Sequence, residues 1–105
     1  MANPLRTEFD PITLEVLWAR IISIVDEAAA TFSRASFSTL VREANDFAVI
    51  LTDVEGRSIA QSTKSIPSFI ATLPATIKAF LEHFPRETLY DGDVLITNDP
   101  WLGTG

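Results

Sequence analysis

The sequence contains no cysteine and a single histidine, His83. The missing cysteines exclude a disulfide framework, a thiolate nucleophile and any cysteine-based zinc site. Four glycines in 105 residues are too few, and wrongly spaced, for a P-loop or a dinucleotide fingerprint. Basic residues are scarce: eight Lys and Arg face fourteen Asp and Glu, a net charge of −6. With no basic stripe to neutralise phosphates, a nucleic-acid partner is not expected. No apolar run reaches membrane-spanning length, and Met1-Ala2-Asn3-Pro4-Leu5-Arg6 lacks the apolar stretch of a secretory signal. The expectation is therefore a cytoplasmic protein without membrane contact.

What remains is the composition of an ordinary globular domain, 47% hydrophobic and 21% charged, in a length that suits one domain. Residues 1–9 are polar and contain proline, which predicts an extended arm. Asp10-Pro11 predicts a helix start, because Asp accepts from free N–H groups and proline suits the first helical position. Leu14, Leu17, Trp18, Ile21, Val25, Ala28 and Phe32 then recur every three or four residues, the stripe of a helix of roughly six turns. Ile22, Ile24 and Ala29 widen that face, so the helix is expected to pack on more than one neighbour.

From Ser33 to Asn45 the period is lost, which reads as a connector with at most a short helical turn. Phe47 to Thr52 and Arg57 to Ser62 predict two strands joined by the turn Asp53-Val54-Glu55-Gly56, a hairpin with a four-residue loop. A second helix is expected over about 68–84, with Phe69, Leu73, Ile77, Phe80, Leu81 and Phe84 on one face. Pro74 should either kink it or mark its true start, with 67–72 as an approach segment. After the turn Tyr90-Asp91-Gly92-Asp93, the run Val94-Leu95-Ile96-Thr97 reads as a terminal strand. The order helix, hairpin, helix, strand predicts an α+β fold, an incomplete part of a larger domain.

Few residues offer chemistry. His83 falls in the last turn of the second helix, where a cation favours the helix dipole, so a capping role is expected. No other histidine is left for a Ser-His-Asp triad or a His-rich metal site. Arg42, Glu43, Asn45 and Asp46 gather charge and an amide just before the hairpin, either as an ion-paired loop or as part of a site. Asn98 and Asp99 offer oxygen ligands for a hard cation, although two side chains do not make a site. They precede Pro100-Trp101-Leu102-Gly103-Thr104-Gly105, a turn whose glycines let the backbone approach a ligand. A plain surface turn is the other reading. The stop directly after that turn, with no closing strand or helix, favours a functional loop cut in the middle.

Three blocks together resemble a known family. They are Asp10-Pro11-Ile12-Thr13-Leu14-Glu15-Val16, Arg42-Glu43 with Asp46-Phe47 and the Glu55-Gly56-Arg57 turn, and Gly92-Asp93-Val94 with Thr97-Asn98-Asp99-Pro100 and Gly103-Thr104-Gly105. The chain from Asp10 onward resembles the extreme N-terminal part of the hydantoinase B/oxoprolinase family. The resemblance implies a chain several times longer, in which the last turn runs into a His-x-x-Asp element of a divalent metal site, with Mn or Zn as the metal. It implies an ATP-dependent hydrolase of cyclic amides such as hydantoins, 5-oxoproline or lactams, working with a hydantoinase A-like partner that handles ATP. Some relatives carboxylate ketones instead. On the same resemblance Asp99 is the candidate metal ligand, Asn98 its neighbour, and Arg42 and Asp46 positioning residues. The 105 residues alone are then expected to be inactive. The competing expectation is a complete, non-catalytic α+β binding or oligomerisation module.

Overall fold

The computed structural model describes residues 8–101 and 103; most of the expected N-terminal arm lies outside the described residues. Helix α1 spans Pro11–Ala35, a short α2 spans Thr39–Arg42, strands β1 (Ile50–Thr52) and β2 (Ser58–Gln61) form a hairpin, and α3 spans Pro67–His83. A single 3-10 turn follows at Arg86–Thr88. The α+β class and the order helix, hairpin, helix are as the sequence predicts.

The start of α1 is set by the expected chemistry. Asp10 is extended, with φ −66° and ψ 155°, so its carboxylate folds back over the first turn. Oδ1 accepts from the Thr13 N–H at 2.9 Å and Oδ2 from the Thr13 hydroxyl at 2.6 Å. Pro11 occupies the first helical positions, where its missing donor costs nothing. The helix continues through Ser33, Arg34 and Ala35, residues expected in the connector. The rest of that connector forms α2 and a left-handed bend at Asn45, φ 53°, a conformation that Asn tolerates better than most side chains.

The strands are shorter than predicted. The Ser62 N–H still donates across the hairpin to the Val49 carbonyl at 2.9 Å, but beyond it the pairing ends: the Ile66 N–H donates to the Phe47 carbonyl at 3.1 Å, and the Val49 N–H donates to Ser65 Oγ at 3.3 Å. The paired segment runs antiparallel with Ile50 opposite Gln61, Leu51 opposite Ala60 and Thr52 opposite Ser58. Ile59 is thus the extra residue of a β-bulge. Arg57 belongs to the turn, which holds five residues where the sequence suggested four. Its N–H and guanidinium both donate to Asp53, at 2.9 and 2.6 Å.

Those contacts predict an acid response. The Arg57 backbone N–H and guanidinium hold the Asp53 carboxyl below its ordinary value of 3.8. The Thr13 hydroxyl and backbone N–H do the same for Asp10. A folded pKa below the unfolded one means that the unfolded chain binds the proton more readily, so stability rises with pH through that window. The contribution is complete above the ordinary carboxylate range and is lost as pH falls through the lowered folded values. Melting curves from pH 7 to pH 2 should fall steeply only at the acid end, and Asp53→Asn should flatten that fall. An unchanged slope in Asp53→Asn would sink this account.

Pro74 lies inside α3, which starts at Pro67 and runs on without interruption. Pro74 removes one N–H from the ladder. Next to it the Thr76 hydroxyl donates to the Thr72 carbonyl at 3.2 Å, and the Thr72 hydroxyl donates to the Phe69 carbonyl at 3.1 Å. The later start suggested by the sequence is therefore not observed, and tertiary contact holds the middle of α3: Thr76 is buried, and Ile77 packs on the hairpin turn at Gly56.

The core is thin. Val25 and Ala29 of α1, Phe47, and Ala60 of β2 are its buried apolar members among the described residues, and Ser62 and Thr76 are buried polar ones. Asp26 ties α1 to the loop after β2, its Oδ1 accepting from the Thr63 N–H and hydroxyl at 2.7 and 3.0 Å. Ser62 and Ser65 join their hydroxyls in the same loop. The apolar stripe of α1 is only half used. Twenty-five residues make a helix about 37 Å long, whereas strands of three and four residues reach roughly 13 Å. The first three turns of α1 are therefore exposed, with Ile12, Leu14, Val16, Leu17 and Trp18 bare on their surface.

The expected terminal strand is the clearest difference. Residues 94–97 pair with no strand among the described residues, and Val94 and Ile96 are 88% and 92% exposed. An apolar alternating run forms a strand only when another strand edge supplies hydrogen bonds. Here the segment runs past the C-terminal half of α3 instead.

Candidate functional site

Thr97, Asn98 and Asp99 leave this extended segment and enter a tight loop. The Asp99 N–H donates to Thr97 Oγ1 at 3.1 Å, and Asp99 Oδ1 accepts from the Trp101 N–H at 2.8 Å. The second bond is an Asx turn, which fixes the carboxylate against its own backbone. The Asp99 carbonyl accepts from the Gly103 N–H at 3.0 Å, closing the loop. A Cβ at position 103 would lie 2.9 Å from that carbonyl oxygen and 3.3 Å from Thr97 Cγ2. Only glycine lets the chain fold back this closely without moving the Asp99 backbone.

This loop and the last turns of α3 enclose a recess of about 230 Å³, lined on the helix side by Thr76, Phe80 and His83 and on the loop side by Ile96, Thr97 and Asp99. The sequence assigned His83 to helix capping, and its ring nitrogen does bond the Ala79 carbonyl at 3.0 Å. It also lines the recess that Asp99 lines, which no local pattern announced. Positions 83 and 99 come to line one recess because the chain turns back along α3 after Pro85.

The other sequence candidates lie elsewhere. Arg42 closes α2, and the Asp46 N–H donates to the Leu40 carbonyl at 3.0 Å. Neither lines the recess that Asp99 lines. The connector is not an ion-paired loop either, since the ion pairs among the described residues join Arg57 to Asp53 and Glu55. Asn98 adjoins Asp99 in sequence but is exposed and is not part of the recess lining.

A carboxylate and an imidazole on one recess suit a divalent cation in kind. They fall short in number, for a catalytic zinc uses three protein ligands, and no group of three or more His, Asp or Glu side chains able to hold a metal occurs among the described residues. No helix among those residues is long and apolar enough to cross a membrane.

The hydantoinase B/oxoprolinase family model matches residues 10–105. The chain belongs to the hydantoinase B/oxoprolinase family. Within the family it is similar to the B-type subunit of the "Putative D-/L-hydantoinase" of Pseudomonas sp. (strain NS671), 32% identical over 91% of this chain and 17% of that protein. It is 31% identical to 5-oxoprolinase 1 of Arabidopsis thaliana over 90% of this chain and 7% of that protein. The 5-oxoprolinase of Saccharomyces cerevisiae (strain ATCC 204508 / S288c) is 31% identical over 91% of this chain and 7% of its own length. The chain thus spans less than a fifth of these hydantoinase B/oxoprolinase relatives. No solved structure matches it.

Proposed function

We propose that residues 10–105 are the N-terminal portion of the B-type subunit of an ATP-dependent cyclic-amide hydrolase of the hydantoinase or 5-oxoprolinase type. The observation that carries this reading is the family match across residues 10–105. The names of the relatives support the reaction class, and the naming of the Pseudomonas relative as a B-type subunit supports a second, A-type component. That partner would use ATP to activate the ring amide, because an amide carbonyl is a poor electrophile and phosphorylation of its oxygen creates a leaving group. The B-type subunit would then open the ring by hydrolysis.

In this reading Asp99 offers its carboxylate as one ligand of a divalent metal, Mn or Zn, whose other ligands come from outside the described residues. A metal held there would supply a water that ionises near neutral pH. The chain's own contribution is geometric. Thr97 and Trp101 hold the Asp99 loop rigid, Gly103 permits its closure, and Asn98 presents an amide next to it. Arg42 and Asp46, which do not line the recess, act on it only through other residues. The 105-residue chain alone is expected to hydrolyse nothing.

The test is a full-length family member assayed with its A-type partner, carrying alanine at the position that matches Asp99. ATP-dependent opening of 5-oxoproline or a hydantoin should fall at least about a hundredfold, the scale seen when a preorganised electrostatic group is lost, and bound metal should fall with it. Unchanged metal content and turnover would overturn the assignment.

A further inference from the structure

We propose that α1 is a self-association surface, on which a second copy of this chain packs its own α1 antiparallel. The inference stands apart from the reading of the Asp99 loop and starts from a second apolar row on the helix. Leu14, Leu17, Ile21, Ile24 and Ala28 follow one another at alternating spacings of three and four, the 3.5-residue repeat of a helix–helix seam. This row lies roughly a quarter turn around the helix from Val25 and Ala29, the residues that α1 buries in the core. The fold leaves it uncovered. Leu14, Leu17 and Ile24 are 53%, 41% and 57% exposed, Ala28 is exposed and Ile21 is half-buried.

Charge and size select both the occupant and its direction. Arg20 and Glu27 flank the row on one side, both exposed and neither in an ion pair among the described residues. A twofold axis crossing the helices midway between positions 22 and 23 sets Ile21 against Ile24 of the second copy, and Leu17 against its Ala28. The same axis brings Arg20 of each copy beside Glu27 of the other, so one surface is complementary to itself in charge. Large side chains in one half meet small ones in the other, as close packing requires. A parallel pair would instead stack Leu17 on Leu17 and Ala28 on Ala28, and would set Arg20 toward Val25 with no carboxylate facing it. Two heptads are short for a free coiled coil. Here the fold already holds α1 helical, so association does not carry the cost of forming the helix.

The experiment is sedimentation equilibrium of the 105-residue chain, which needs no variant. Contact along about five helical turns makes a small interface, about 1,200 Å² in all, so a micromolar dimer is expected. The 11.6 kDa mass should double between about 1 and about 300 µM. Ile24→Glu, on the exposed side of α1, should keep the melting curve and abolish the dimer. Arg20→Glu and Glu27→Arg should each weaken it about tenfold by setting like charges together. The double exchange, which leaves the net charge at −6, should restore it. Direction is read from disulfides, since the chain has no cysteine of its own. Leu17→Cys mixed with Ala28→Cys should cross-link, whereas Leu17→Cys alone should not, its two sulfurs being about 16 Å apart along the seam. A chain that stays monomeric at the highest concentration overturns the proposal and leaves this face to the longer chain of the family. Polydisperse aggregation, or a dimer that survives Ile24→Glu, overturns it as well. So does a double exchange that fails to restore the dimer, or Leu17→Cys cross-linking to itself.

Discussion

Phe47→Ala is expected to destabilise the chain by about 3–5 kcal/mol, which for a domain of ordinary stability, about 5–15 kcal/mol, removes much or all of the folded population. Phe47 is 7% exposed and is the largest side chain of a core otherwise built from Val25, Ala29 and Ala60. Its ring meets that of Phe32 edge-on, centroids 5.3 Å apart and planes at 70°, an arrangement that adds about 0.5–1.5 kcal/mol beyond area. Small alanines around it cannot close the resulting cavity. The backbone carbonyl at Phe47 accepts from the Ile66 N–H, a bond that alanine keeps, so the loss measured is that of the ring. Urea unfolding followed by circular dichroism measures this, with Phe32→Ala, half-exposed at 50%, as the milder comparison. Equal midpoints for Phe47→Ala and the unmodified chain would show that the core does not centre on this ring.

The second large effect belongs to the hairpin turn. Gly56→Ala should cost more than about 1 kcal/mol, from two separable causes. Gly56 has φ +83°, where a Cβ is strained, and that Cβ would also lie 3.0 Å from Ile77 Cγ2 and 3.4 Å from Lys78 Cγ. The turn is seated on α3, so relief requires Ile77 to move or the hairpin to lift. Gly92 provides the internal comparison: its φ is +95°, but a Cβ there would meet nothing within 4 Å. Gly92→Ala should therefore show the backbone strain alone, and the difference between the two melting temperatures measures the contact with α3. Equal losses at both sites would mean that the turn does not rest on the helix.

Much of this protein is legible from one sequence because its signals are local. The Asp10-Pro11 start depends on a carboxylate reaching a donor three residues ahead, and the apolar period of α1 depends on helix geometry alone. The hairpin, the second helix and the family blocks are read in the same way. The tight loop at Asn98-Asp99-Pro100 follows from a contiguous motif as well, since the turn formers and the glycine that closes it are neighbours in sequence.

Tertiary structure decided what depends on a neighbour distant in sequence. Pro74 remains inside α3 because Thr76 and Ile77 are held against the rest of the molecule, a force that local proline chemistry does not contain. Residues 94–97 carry a strand's pattern, yet a ladder needs a second strand edge, and none pairs with them among the described residues. Half of the α1 stripe is exposed because a helix about 37 Å long meets a hairpin that covers only part of it. Arg42 and Asp46 looked like companions of Asp99 and lie off its recess, whereas His83 looked like a cap and lies on it. Sequence determines the residue types and local geometry that a site can use; the path of the chain after α3 determines which of them meet.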